Sequence, residues 1–63
     1  MISPHLFVGD KVRLIRTTDQ YTKIQSGTQG IVSFIDDLGT IHVNWDDGST
    51  LGLIPNVDSY ERI

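Results

Sequence analysis

Two pairs of adjacent carboxylates and two histidines are the residues of this chain that could do chemistry. Asp36-Asp37 lies in "IDDLGT" and Asp46-Asp47 in "NWDDGST", beside the only tryptophan, Trp45. Brought together, such carboxylates could hold a divalent cation or work as an acid–base pair, and His5 or His42 could add a metal ligand. Spacing weighs against both. Ile41, Val43 and Trp45 alternate with Thr40, His42 and Asn44 as in a strand. A strand between the two acidic pairs holds them about 20 Å apart, whereas paired glycosidase carboxylates lie within roughly 5–10 Å. The calcium-loop pattern D-x-D-x-D-G with a distal Glu is missing. His5 and His42 show no metal-ligand spacing, and His42 reads as a solvated imidazole on the outer face of its strand. No base stands beside a Ser or Thr in a nucleophile motif. The expectation is a protein with no catalytic residue, no metal and no cofactor.

The elements that must position these residues are short and β-rich, with turn signals between them. Strands are expected at 11–16 (KVRLIR), 29–35 (QGIVSFI), 40–45 (TIHVNW), 49–54 (STLGLI) and 60–63 (YERI). The polar residues 17–28 form a long loop with few apolar groups to fix it. Pro55 cannot donate a ladder hydrogen bond, so the fourth strand stops there, and "PNVDS" suits a single 3₁₀ turn before the last strand. The fold class is all-β: a small barrel of about five antiparallel strands in one domain, residues 1–63, with 1–8 a loose N-terminal segment.

Register sharpens the acidic turns. With a three-residue loop, Asp46-Asp47-Gly48, Val43 pairs with Leu51 and Ile41 with Leu53, which collects the apolar set on one face. That predicts a type I turn with Gly48 left-handed in a bulge. For "IDDLGT", a two- or four-residue loop pairs Phe34 with Ile41 and Val32 with Val43. It also sets Gly30 opposite Trp45, where the missing side chain leaves room for an indole. Both acidic pairs become sheet corners, where Asp bonds the local backbone.

Net charge is −3 and the pI about 4.9, an unfavourable balance for binding phosphates generally. The chain has no cysteine, which removes disulfides and thiolate metal sites and suits a reducing compartment. No run of about 18 apolar residues could cross a membrane. The start "MISPHLFVGD" lacks the features of a signal peptide, so the cytoplasm is the expected location.

With "FVGDKVRLI", "GTQGIV", "IHVNWDDGST" and "LGLIP" in place, the chain resembles an SH3-like small barrel. More narrowly, over residues 7–63 it is similar to a domain-of-unknown-function family of short bacterial and phage proteins. That resemblance implies an SH3-like fold and a bacterial or mobile-element origin, and no catalytic residues. "GDKVRLI…GTQGIV" resembles the opening of KOW-type barrels of RNA-associated proteins, and "GLIPNVDSYERI" resembles the end of signalling SH3 domains.

Two surfaces follow. An aromatic groove for a protein partner could be lined by Tyr21, Pro55 and Tyr60, joined by Trp45 if its ring reaches the surface rather than covering Gly30 in the core. Lys11, Arg13, Arg16 and Lys23 could instead begin a nucleic-acid face, although alternating cations on a strand commonly serve solvation. Homodimerisation is a further expectation, with Ile31 and Ile35 as interface residues. The leading function is non-catalytic protein binding; the alternatives are an RNA- or DNA-associated barrel and a small phage-encoded inhibitor of a host enzyme.

Overall fold

A computed structural model describes residues 6–17 and 23–63 of the chain. Among these residues five strands form: β1 (Lys11–Arg16), β2 (Gln29–Ile35), β3 (Ile41–Trp45), β4 (Gly52–Leu53) and β5 (Ser59–Arg62). All neighbours are antiparallel, in one sheet of order β4-β3-β2-β1-β5. One face of this sheet supplies the core: Val12 and Leu14 of β1, Val32 of β2, Ile41, Val43 and Trp45 of β3, and Leu53 of β4 are all buried. No helix or second sheet covers that face among the described residues. A single sheet can bury its apolar face only by curling around it, which is the logic of a small barrel.

Residues outside the strands plug the curl. Leu6 and Ile24 are both buried in the core cluster. Of the loose segment expected at residues 1–8, residues 6–8 are described, and they are held rather than loose. The Asp10 N–H donates to the Phe7 carbonyl, and the Gly9 N–H to the Val32 carbonyl, docking this turn on β2. The end of the long connection is fixed as well, against expectation. Gly27 N–H donates to Leu14 C=O and Leu14 N–H to Thr28 C=O, continuing the β1–β2 ladder ahead of the first residue of β2.

The two acidic hairpins turn alike. The Gly39 N–H donates to the Asp36 carbonyl at 3.0 Å and the Gly48 N–H to the Trp45 carbonyl at 3.0 Å. Both glycines are left-handed, at φ 87° and 84°. The expected three-residue loop after Trp45 and the Ile41–Leu53 pairing are present. The fourth strand is shorter than expected, because the ladder ends at Gly52 and Val43–Leu51 is not a rung. Instead the Leu51 carbonyl accepts the Trp45 indole N–H at 2.8 Å.

The other hairpin differs from expectation by one residue. Gly30 pairs with Trp45 and Val32 with Val43, as predicted, but Phe34 pairs with His42 rather than Ile41. The "DDLG" turn closes a three-residue loop, whose parity conflicts with the inward pairs Val32–Val43 and Gly30–Trp45. A bulge between Val32 and Phe34 absorbs the difference, and Ser33 Oγ donates to the His42 carbonyl at 3.0 Å. Phe34 is thereby turned out to solvent, 53% exposed.

Gly48 gives a direct check on this geometry. A Cβ there would meet nothing within 4 Å, so only the left-handed backbone opposes a side chain. Gly48→Ala should cost about 1 kcal/mol, read as a lower urea midpoint with an unchanged slope.

Candidate functional site

The turn between β4 and β5 is built on one carboxylate. The Val57 and Asp58 N–H groups both donate to the Ile54 carbonyl, at 3.1 and 3.0 Å. Asn56 sits in the left-handed region at φ 71°, which Asn tolerates better than most residues. That residue breaks right-handed winding, so the 3₁₀ turn expected here is a hydrogen-bonded turn instead. Asp58 then locks it: Oδ2 accepts the Ile54 N–H at 2.9 Å, and Oδ1 accepts the Thr17 hydroxyl at 2.8 Å. The second bond spans 41 residues and ties the root of the long connection to this turn.

Around that lock lie two of the four residues proposed as a partner surface. Pro55 and Tyr60 are half-buried, and Tyr60 packs on the core. Burial and then the nearby Asp58 charge push the Tyr60 phenol above its usual range. Ile54 and Val57 on the same turn are about half exposed; sequence reasoning missed both, although their place beside Pro55 was a usable signal. Tyr21 lies outside the described residues. Trp45 does not belong to the surface at all. At 4% exposure, with its N–H bonded to Leu51, it is core. The strand periodicity that put it beside Ile41 and Val43 outweighs its position at the strand's end.

The basic set is scattered and partly countered. Arg13 Nε lies 3.4 Å from Glu61 Oε2 on the neighbouring strand, an ion pair without a hydrogen bond. Arg62, not among the residues proposed for this face, lies 3.7 Å from Asp10. Lys11, Arg16 and Lys23 are exposed.

The acidic pairs stay apart, at opposite ends of β3. Among the described residues no three His, Cys, Asp or Glu side chains gather as a cation site. Asp47 Oδ1 accepts the Ser49 N–H, and this bond holds its carboxyl below the usual aspartate range. Asp36 is busier. Its Oδ1 accepts the N–H groups of Leu38 and Thr40, and Oδ2 sits 3.0 Å from His42 Nε2. The His42 ring also stacks on Phe34, centroids 4.7 Å apart at 43°. His42 is on the outer face as expected, but it is a partnered side chain rather than a plainly solvated one. The bulge that pairs Phe34 with His42 creates this cluster, so the regular register hid it.

The His42 contact, before the backbone bonds, holds the Asp36 carboxyl below its usual range. A depressed carboxyl stabilises the fold above its unfolded pKa, and that contribution is lost as pH falls through the folded value. Asp36→Asn should therefore lower the melting temperature at neutral pH and flatten its decline on acidification. Melting curves from neutral to strongly acidic pH measure this; parallel profiles for both proteins would show that the bonds to Asp36 carry no stability.

A family model described as Domain of unknown function (DUF4314) matches residues 5–63. No curated protein and no solved structure matches the chain.

Proposed function

This chain belongs to the DUF4314 family, and we propose that it is a non-catalytic, SH3-like module that binds another protein in the cytoplasm of a bacterium or of a phage host. The observation that carries this reading is the Thr17–Asp58 bond. It brings together the root of the longest connection and a turn that presents two aliphatic side chains, Ile54 and Val57, beside a half-buried proline and tyrosine. Apolar groups on a turn fixed by a scaffold suit recognition of a partner. The strand order also suits an SH3-like barrel, a five-stranded meander whose first and last strands pair.

A pull-down from a native host, run in parallel with the original protein and with Asp58→Ala and Val57→Ser variants, tests the reading. Asp58→Ala removes two hydrogen bonds and should cost roughly 1–3 kcal/mol of stability, so the surface variant Val57→Ser is the cleaner probe. A partner retained by the original protein and depleted by Val57→Ser supports the assignment. A partner held equally by all three places the contact elsewhere.

A further inference from the structure

We infer that the outer face of β2 is a self-association surface, and that its occupant is a second copy of this chain. The row opposite the core reads Lys11, Ile31, Asn44 across β1, β2 and β3. The Ile63 N–H donates to the Lys11 carbonyl, extending the row one strand further. Along β2 beyond the bulge, Phe34 stands next to His42. On the other flank, the Phe7–Asp10 turn docks on Val32 through its backbone, and its Phe7 and Val8 side chains are exposed. Ile31, Phe34 and Ile63 are about half exposed, and Phe7 and Val8 about two-thirds. Together they leave on the order of 500 Å² of apolar surface, as large as the largest patch on a typical monomer. Doubled by a copy and completed by a polar rim, such a patch approaches the roughly 1,200 Å² at which specific interfaces begin.

Charge and symmetry favour a copy over another occupant. Lys11 is the one charge in the row, and the next cation on that side of β1, Arg13, faces Glu61 at 3.4 Å, so a polyanion would find little free positive charge there. A twofold axis lying along β2 sets Ile31 on Ile31 and Phe34 on Phe34. It brings Lys11 of one protomer opposite Asn44 of its partner, and His42 opposite the Phe7–Asp10 turn. Lys11 thus meets a neutral counterpart, and the one carboxylate of the turn facing His42, Asp10, is already engaged by Arg62. An axis across the strands through the same row would oppose Lys11 to Lys11, which like charge disfavours. Isologous contact needs this kind of self-complementarity. The acidic pairs Asp36-Asp37 and Asp46-Asp47 fall at the ends of β3, outside the central row.

Sedimentation equilibrium from micromolar to millimolar concentration tests the inference. The mass should rise from 7.0 kDa toward twice that value. Ile31→Glu, which sets two carboxylates together on the axis, should weaken the dimer at least tenfold. Asn44→Asp, which gives Lys11 an opposite charge, should tighten it severalfold at low salt, with the gain fading as salt rises. Asn44→Lys should weaken it. Both positions are exposed, and melting curves check that the three variants fold. A monomer at every concentration, a dimer indifferent to Ile31→Glu, or a dimer weakened by Asn44→Asp would overturn it. Partner capture through Val57 is read independently of all these results.

Discussion

Gly30→Ala should remove about 3 kcal/mol or more of the protein's stability. A Cβ at Gly30 would lie 2.6 Å from the Asn44 carbonyl oxygen, 2.6 Å from Val43 Cγ1 and 2.9 Å from Trp45 Cα. Two of these three are backbone atoms of the adjacent strand, so no rotamer change relieves the clash. Relief requires β2 and β3 to separate in the middle of the sheet, directly over Trp45. Overpacking a core by a single carbon costs typically 1–3 kcal/mol where side chains can yield, and here the cost belongs at or above the top of that range. A domain of this size holds roughly 3–9 kcal/mol in total, at about 0.05–0.15 kcal/mol per residue. Urea unfolding followed by circular dichroism measures the effect. A loss below about 1 kcal/mol would mean that the strands do not approach this closely. The contrast with Gly48→Ala is instructive: one glycine is required by space, the other by its backbone angle.

Trp45→Ala should be comparably severe, at about 3–5 kcal/mol, the range for deleting a buried aromatic side chain. Trp45→Phe separates the two contributions of the indole. Phenylalanine keeps part of the packing against the core and loses the N–H that bonds Leu51. The Leu51 carbonyl takes no ladder bond from β3 in its place, so this variant should lose about 1–3 kcal/mol and fray β4 first. Hydrogen exchange should accelerate at Gly52 and Leu53 before it does at β1 or β2. In the original protein, tryptophan emission should be blue-shifted and resist acrylamide, and strong quenching would contradict the burial of Trp45.

The strands were legible where alternation was clean. Val12 and Leu14, Ile41, Val43 and Trp45 gave the core face of β1 and β3, and Gly30 opposite Trp45 gave the register of β2. Three things were not legible. Leu6 and Ile24 enter the core from segments without strand periodicity, so their burial depends on tertiary closure rather than on any local pattern. The bulge at Ser33 follows from a contest between a preferred three-residue turn and an inward apolar pairing. Either fits the sequence alone, and the chain satisfies both by inserting one residue. That single step turns Phe34 outward and makes the Asp36–His42–Phe34 cluster, which no reading of a regular hairpin would place together. The Thr17–Asp58 bond was equally hidden, because it joins residues far apart in the chain through side chains that are ordinary in loops.

What the protein binds with is the claim on which the account turns, and amide-shift mapping reaches it most directly. Isotope-labelled protein is mixed with the partner recovered from the native host, and each backbone amide is followed. The account predicts shifts centred on Thr17, Ile54, Val57 and Tyr60, lost in the Val57→Ser variant. Shifts confined to Lys11, Arg13 and Lys23, reproduced by an oligonucleotide and steeply weakened by salt, would contradict it.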